Sequence, residues 1–329
     1  MPVQYEPFNT SQDVTTTKTL LHEVIPVTGT IVSGTYADAN IKNYTHGMFQ
    51  SVYDYPFLSS SANHIFDITV GYDETSGLSG SSSTQNAKKI NLYNQYAQVL
   101  LGYTGSTADG VRKFENDLAL DGTGAMKEVF FINFSRLITK DQIKKGSFSL
   151  SLGTSSTYAA PFADAELVLQ DALATERTGY TVAQGGDYGL LFTNSSGTGN
   201  AVGNLFYQAG IAVITASVFG SAVIMNNLSD GVEAVLTGSS ISGSCDALRH
   251  RINNLSFNNT TEINSKIYFC RVPHNKYNYS ANPTYLTGAQ IRVKDVASDT
   301  PIAYITTIGL YSSTGELLAT AKLSEPLRK

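Results

Sequence analysis

The fold class is indicated most clearly by residues 304–323, YITTIGLYSSTGELLATAKL. Residues 304–311 are mostly β-branched or aromatic, which favours an extended strand. Turn-forming residues follow at 312–315, and a second apolar run covers 317–323. Two such runs joined by a short Ser/Gly turn predict a β-hairpin. Pro326 cannot donate a hydrogen bond to a sheet, so it ends this hairpin or lies at its edge.

The composition extends the β prediction to the whole chain of 329 residues. The chain contains 19 Tyr and 15 Phe but no Trp, together with many Ser, Thr, Asn and Gly residues. Tyr, Phe and Thr suit half-buried strands, whereas Gly, Asn and Ser suit turns. Apolar residues make up 42% of the chain, which argues against disorder. We therefore predict a mainly β protein of antiparallel, sandwich-like sheets with long Ser/Gly/Asn-rich loops.

Three segments are suggested by the pattern along the chain. Residues 1–60 contain four prolines and loosely alternating runs, which predict an extended N-terminal arm or strands of the protein's own sheet. Residues 61–240 are interpreted as the main β domain. Residues 241–329 are interpreted as a C-terminal β region that ends in the hairpin at 304–323.

One helix is clearly predicted, at residues 87–101, and it is expected to lie over the sheets. Apolar side chains recur there at helical spacing and form a single stripe. The stripe consists of Ile90, Tyr93, Ala97, Leu100 and Leu101. Lys88 and Lys89 lie near the start, the unfavourable end for cations, so we expect packing to stabilise this helix. Gly102 fits its end, and a second, shorter helical segment is predicted at 109–118.

Several strands are predicted around the helix. Residues 66–72 form a short strand, and residues 127–136 form a buried one. Residues 147–153 alternate strictly between polar and apolar, which is typical of a half-solvated antiparallel strand. A hairpin is predicted over residues 188–208, and residues 208–219 are interpreted as a central strand.

The loops between these strands differ in character. Residues 73–84 consist almost wholly of Ser, Gly and Thr, which predicts an exposed, mobile loop. Thr139, with Gln142 three residues later, predicts a capped single helical turn that ends before Gly146.

No constellation for catalysis is recognised in the sequence. The histidines are scattered, with no two at metal-ligand spacing on one predicted element. They are His22, His46, His64, His250 and His274. Asp73 with Glu74, or Asp38 with Asp54, could form carboxylate pairs, but they lack the spacing of a glycosidase or a metal cage. We therefore predict that the protein is not an enzyme, with no catalytic, cofactor-binding or metal-binding residues.

The charge pattern argues against a nucleic-acid partner. Charged residues make up 15% of the chain and the formal net charge is −5, without the clustered Lys and Arg of a nucleic-acid groove. Arg249, His250 and Arg251 form one compact basic cluster, for which a solvated turn is favoured over a phosphate site. Residues 102–110 are glycine-rich, but they follow a helix and lack the lysine of a phosphate-binding loop.

The cysteines and the first residues of the chain indicate in which cellular compartment the protein is expected to fold. For Cys245 and Cys270, two reduced, buried thiols are favoured over one disulfide. Residues 1–6 lack the basic and apolar regions of a signal peptide. The longest apolar run, at 209–219, is short and interrupted by polar residues, so no membrane insertion is expected.

Four stretches resemble structural proteins of tailed phages. Three of them are similar to segments of uncharacterised structural proteins from marine tailed phages: NYTHGMFQSVYDYPFLSSSANHIFDITVGY (43–72), FINFSRLITKDQIKKGSFSLSLG (131–153) and INSKIYFCRVPHNKYNYSANPTYLTGAQIRV (263–293). The fourth, at 304–329, resembles most the wedge-type baseplate proteins of contractile tails. That family carries a further charged strand after the proline, which this sequence does not contain.

The resemblance implies a non-enzymatic structural subunit of a bacteriophage virion, most concretely a baseplate wedge component that holds neighbouring subunits together. The implied partners are other virion proteins and copies of the chain in a symmetric ring. The implied location is the virion tail, after assembly in the cytoplasm of the bacterial host. A low charge fraction suits such contacts, because few ions are desolvated when large surfaces close. Another virion part (neck, collar or capsid decoration) is the alternative.

A carbohydrate-binding tail module is a third interpretation. Its candidate cluster lies in the loop at 274–285, where exposed aromatic and amide side chains would contact a sugar. The cluster consists of Tyr277, Tyr279, Tyr285, Asn275, Asn278 and Asn282. The same loop is also compatible with a self-packed loop or an interface, which we prefer.

Overall fold

The structure is a computed structural model that describes residues 5–26, 38–80, 83–104, 110–163, 166–277, 283–287, 290–291 and 303–329. It divides into a larger unit, Lys18–Ile263, and a smaller unit that combines Met1–Thr17 with Asn264–Lys329. The smaller unit thus contains both ends of the chain. The three segments of the sequence interpretation, 1–60, 61–240 and 241–329, describe regions along the chain and not these two units.

The described strands and helices have the following bounds. The strands are β1 Val14–Pro26, β2 Ile41–Asn43, β3 Gln50–Tyr53, β4 His64–Tyr72, β5 Glu128–Phe134, β6 Gln142–Ile143, β7 Ser149–Gly153, β8 Glu166–Gln170, β9 Tyr180–Ala183, β10 Gly186–Leu191, β11 Gly203–Phe206, β12 Ile211–Thr215, β13 Ile252–Tyr268, β14 Leu286–Thr287, β15 Gln290–Ile291, β16 Tyr304–Tyr311 and β17 Leu317–Arg328. The helices are α1 Asn86–Leu100, α2 Arg136–Thr139, α3 Val232–Thr237 and α4 Ile241–Arg249.

The larger unit is built on an antiparallel sheet of eight described strands in the order β2-β3-β4-β5-β12-β11-β10-β9. Strands β5 and β12 lie side by side in its middle, with Phe131 opposite Val213. Most of β5 is buried on both faces, which confirms the buried strand predicted at 127–136. The pairing of β10 with β11 confirms the hairpin predicted at 188–208. Strand β12 is the central strand predicted at 208–219.

A second sheet contains five described strands in the order β1-β13-β7-β8, with β6 also pairing with β13. One face of the eight-stranded sheet packs against β7, β8 and the start of β13 to form the main hydrophobic core. The Phe134 ring on β5 lies 5.9 Å from Phe148 and 5.3 Å from Phe257, measured between ring centroids. These contacts between sheets confirm the predicted mainly β, sandwich-like architecture.

Helix α1 covers the opposite face of the eight-stranded sheet and confirms the helix predicted at 87–101. Its buried residues are Lys89, Leu92, Tyr93, Ala97 and Leu100. The Tyr93 hydroxyl donates to the carbonyl oxygen of Met126 (3.0 Å) and accepts from the Phe114 amide (3.1 Å), both in the following segment. Gly102, at φ +85°, ends the helix as predicted, and its amide donates to the Ala97 carbonyl.

Helices α3 and α4 were not predicted from the sequence. Both are short, and α4 contains Gly and Ser, so local propensity is weak there. The Ser240 side chain caps α4 by accepting a hydrogen bond from the Gly243 amide (3.1 Å). Packing of their apolar side chains against the main core supplies the stability that propensity does not.

The short helix predicted at 109–118 is wrong for the described residues, 110–118. Val111 and Glu115 form isolated antiparallel bridges, with Tyr103 and Ala125, and residues 116–118 bend. Val111 and Phe114 are buried in the core beneath α1. Their segment reaches this core without forming a helix. Asp109 lies outside the described residues.

Further local predictions were also corrected. Thr139 is the last residue of α2 and not an N-cap, because the turn starts earlier at Arg136 and the chain then joins β6. Strand β7 is not half-solvated: the Ser151 hydroxyl is buried and donates to Glu166 at 2.8 Å. The loop predicted to be exposed at 73–84 is partly buried, since Asp73 and Ser76 are both buried.

Candidate assembly surface

The smaller unit contains the hairpin predicted at 304–323, and the structure confirms it. Strands β16 and β17 pair antiparallel with Ile308 opposite Ala321 and Leu310 opposite Ala319. We call the residues 304–328 the terminal ribbon. Strand β17 continues through Pro326 to Arg328, so this proline lies within a strand at the edge of a two-stranded sheet.

A short turn fixes the register of the terminal ribbon. The Gly315 amide donates to the Ser312 carbonyl at 3.0 Å, and Gly315 has φ +85°, which a glycine adopts without strain. The Glu316 amide donates to the Ser312 hydroxyl oxygen at 3.1 Å. These bonds close the turn predicted at 312–315.

One face of the terminal ribbon is apolar. Because side chains alternate along a strand, Ile308 and Leu310 share a face with the residues opposite them, Ala319 and Ala321, and with Leu323. The other face carries the polar residues Thr307, Thr320 and Lys322 together with the exposed Leu318. None of the ribbon's described side chains is buried.

Other residues of the smaller unit link the two chain ends. The Arg271 guanidinium forms an ion pair with Asp13 at 2.6 Å, and the Phe269 amide donates to the Asp13 carbonyl at 2.8 Å. The Tyr5 ring lies 4.8 Å from Tyr311 of the terminal ribbon. These links involve polar groups and exposed rings, not a closed apolar core.

The smaller unit differs from the larger one in how its apolar side chains are exposed. All the buried apolar residues of the described chain lie between Ile41 and Phe257, in the larger unit. The smaller unit exposes twelve large apolar side chains among its described residues. They are Tyr5, Phe8, Ile267, Tyr268, Phe269, Val272, Tyr277, Tyr304, Tyr311, Leu317, Leu318 and Leu327. A surface of this kind typically marks an interaction site.

The candidate sugar-binding cluster is described only in part. Tyr277 is 41% exposed and has φ +57°, which makes it one of the few residues other than glycine in the left-handed region. Asn275 is exposed too. Asn278, Tyr279 and Asn282 lie outside the described residues, as does the Tyr285 side chain, so sugar contacts stay a prediction.

The histidines are held in separate local contacts. His22 bonds the Thr260 hydroxyl (3.0 Å), and His64 bonds Asp67 (2.8 Å). The His46 ring stacks on Tyr44, and His250 bonds the Tyr158 carbonyl (2.8 Å). Among the described residues, no histidine joins a group of possible metal ligands.

The carboxylate pairs considered from the sequence do not form among the described side chains. Asp73 forms an ion pair with Lys113 at 2.6 Å, and Asp54 accepts from Asn63 at 2.8 Å. Although burial acts to raise it, the pKa of Asp73 is lowered overall, by the bonds from Lys113 and Thr75. Glu74 is exposed, and the side chain of Asp38 lies outside the described residues.

The basic cluster is not the solvated turn favoured from the sequence. Arg251 is fully buried and donates to the carbonyl oxygens of Gly153 (3.1 Å), Ser155 (2.7 Å) and Ile224. The Arg249 side chain is buried too and pairs with Asp246 at 2.7 Å. These arginines stabilise the fold, because they satisfy backbone and carboxylate oxygens inside the protein.

The cysteines are reduced, as the sequence favoured, but only one is buried. The Cys245 thiol is fully buried in α4 and donates to the Ile68 carbonyl. Burial raises the pKa of this thiol, so it stays protonated. Cys270 is exposed, in the smaller unit, which corrects the prediction of two buried thiols.

Comparison with known proteins gives this chain no family. No family model, curated protein or solved structure matches it. Within the described part of the chain, no helix has the length and apolar character needed to cross a membrane.

Proposed function

We propose that this chain is a structural subunit of a tailed-phage virion, most concretely a baseplate wedge component, that binds neighbouring subunits through its smaller unit. The observation that carries the proposal is the exposure pattern: the described residues of this unit bury no apolar side chain and expose twelve large ones. An isolated two-stranded ribbon is marginally stable in water, so a partner that covers it adds stability. The virion placement is supported by the sequence resemblance to phage structural proteins.

The occupant we propose for the terminal ribbon is a second copy of this chain. Within the described residues, β16 and β17 pair only with each other, so each strand keeps an outer edge whose amide and carbonyl groups are free to pair. The apolar face of Ile308, Leu310, Ala319 and Ala321 carries no charge that would repel an identical face. Rings of identical subunits are built from repeated contacts of this kind.

Sedimentation velocity over a range of concentrations tests the interface. We expect the full chain to associate, and Ala319→Asp, which puts a charge on the apolar face, to weaken association by about tenfold or more. Thr320→Asp is the matched control, since it places the same charge on the next residue and the opposite face of one strand. It should associate nearly as the natural chain does.

Two results would count against this interface. One is a chain that stays monomeric at every concentration, which would remove the self-association. The other is an equal loss in Ala319→Asp and Thr320→Asp, which would show that the apolar face does not select the contact.

A further inference from the structure

The segment between α1 and β5 brings three carboxylates together. Glu115, Asp117 and Asp121 each place a carboxylate oxygen within 4.8 Å of the other two. Backbone bonds close this segment as a loop, from the Asn116 amide to the Gly124 carbonyl (3.0 Å) and from the Met126 amide to the Phe114 carbonyl (2.7 Å). The acidic cluster is thus held by a defined backbone.

Each acid of the cluster is oriented by the loop itself. The Gly122 amide donates to Glu115 Oε1 (3.0 Å), and the Ala119 amide donates to Asp117 (2.8 Å). Asp121 accepts from the amide and the hydroxyl of Thr123. These bonds use one oxygen of each carboxylate and leave the second one available.

Two buried oxygens without partners belong to the acidic cluster and to a residue bonded to its backbone. Glu115 is only 3% exposed, and its Oε2 has no hydrogen-bond partner among the described residues. Asn204 is 1% exposed: its Nδ2 donates to the Glu115 carbonyl (3.0 Å), while its Oδ1 has no partner there either. Buried acceptors are rarely left unpaired. The unpartnered Glu115 oxygen, which belongs to the acidic cluster, therefore favours a cationic ligand.

No basic side chain in the described part of the chain supplies that charge. No ion pair joins Glu115, Asp117 or Asp121 to a lysine or arginine there. The nearby Arg112 guanidinium donates to backbone carbonyls, those of Tyr103 and Leu120.

We propose that Glu115, Asp117 and Asp121 bind a calcium ion, with the amide oxygen of Asn204 as a neutral ligand. Carboxylate and amide oxygens are the ligands of hard cations, and Ca²⁺ accepts the irregular geometry of a loop more readily than Mg²⁺ does. Zinc is disfavoured because no His or Cys belongs to the cluster. Bound calcium would tie this loop to β11, which carries Asn204.

Terbium luminescence and calorimetry on the full-length, chelator-treated chain test this site. Tb³⁺ replaces Ca²⁺ at oxygen sites, and the chain has no Trp, so a nearby Tyr must sensitise its emission. Tyr188 is buried in the same hydrophobic cluster as Phe114, the residue that precedes Glu115, so it lies near the acidic cluster. We expect Ca²⁺ to quench the Tb³⁺ signal. Tyr188→Phe should lower the emission while calorimetry still detects Ca²⁺ binding.

Variants of the two more exposed acids avoid the risk of unfolding the chain. Asp117→Asn and Asp121→Asn should each weaken Ca²⁺ binding by about tenfold or more. Glu74→Gln, which changes an exposed acid outside the cluster, is the control and should bind as the natural chain does. No Ca²⁺ binding to the folded chain, unchanged binding in both Asp variants, or tighter binding of Mg²⁺ than of Ca²⁺ would overturn the proposal.

Discussion

Two buried cations illustrate how single residues determine this fold. Lys89 in α1 is fully buried, and its ammonium donates to the carbonyl oxygens of Thr84 (3.0 Å), Leu236 (2.5 Å) and Gly238 (2.9 Å). Burial lowers its pKa to about 8. Arg251 is held in the same manner by three carbonyls. In both cases a charged side chain donates to several backbone oxygens inside the fold.

Removing the Arg251 side chain should therefore be costly. Arg251→Leu removes the donor from two buried carbonyl oxygens and one partly buried one, and we expect the free energy of unfolding to fall by about 3 to 5 kcal/mol. Urea denaturation measures the change. Arg177→Leu, at an exposed arginine of the same unit, should change stability by less than about 0.5 kcal/mol. Equal stabilities for the two variants would show that the carbonyls find other donors.

A buried acid makes stability depend on pH. Burial raises the pKa of Asp171 from 3.8 to about 6, although the Gly146 and Phe148 amides and the Tyr207 hydroxyl donate to it and oppose the shift. Between pH 3.8 and about pH 6, the folded chain therefore binds more protons than the unfolded chain. Its free energy of unfolding therefore falls as the pH rises through about 6.

The Asp171→Asn variant isolates this contribution, because an amide does not titrate. The stability of the natural chain relative to this variant should fall by about 2.4 kcal/mol between pH 4 and pH 7. Urea titrations at several pH values measure the difference, in which the other titrating groups cancel. Parallel pH profiles for the two proteins would contradict the assigned pKa.

At the scale of elements, β4 and α1 pack closely at Gly71. A Cβ atom at Gly71 would lie 2.9 Å from the Lys89 carbonyl oxygen and 2.9 Å from the Tyr93 amide nitrogen. The helix can lie this close to the strand only because residue 71 has no side chain. A single glycine thus sets the distance between the helix and the sheet.

Gly71→Ala should push α1 away from the sheet and lower the free energy of unfolding by about 1 to 3 kcal/mol. Thermal or urea denaturation gives the value. Gly77→Ala is the control, since nothing lies within 4 Å of a Cβ atom there. If both substitutions proved neutral, the close packing of α1 on β4 would be wrong.

Elements with a strong local pattern were predicted, and elements that depend on packing were not. Strand β5 and the 304–323 hairpin have runs of β-branched and aromatic residues, and α1 has a clear apolar stripe. Residues 110–118 look helical in isolation but form no helix, and Val111 and Phe114 are buried in the core without one. The acidic cluster was not predicted, although Asp117 and Asp121, followed by Gly122, lie close together in the sequence. The contacts of Glu115 and Asn204 at this cluster depend on the fold.

At the scale of the whole molecule, the two units are stabilised differently. The larger has extensive buried cores between and around its sheets, whereas the described part of the smaller has no buried apolar residue. The sequence predicted the terminal hairpin but not its exposure. A strand that packs on the protein's own core and a strand that packs on another subunit have the same alternating apolar pattern, so the pattern does not predict exposure.

Hydrogen exchange should reflect this difference in the isolated chain. Amides of β16 and β17 should exchange on the order of a hundredfold faster than those of β5 and β12, because local opening of a two-stranded ribbon exposes little apolar surface. Exchange followed by mass spectrometry measures both regions in one sample. Similar protection would mean that the ribbon is already covered within the single chain.

The most direct test of the proposed function is quantitative mass spectrometry of purified virions, which measures whether they contain this chain and in how many copies. A baseplate wedge subunit in a six-fold ring predicts roughly six to twelve copies per particle. Copies in the hundreds would place the chain in the capsid surface, tube or sheath and contradict the wedge assignment. Absence from the particle would contradict the structural role itself.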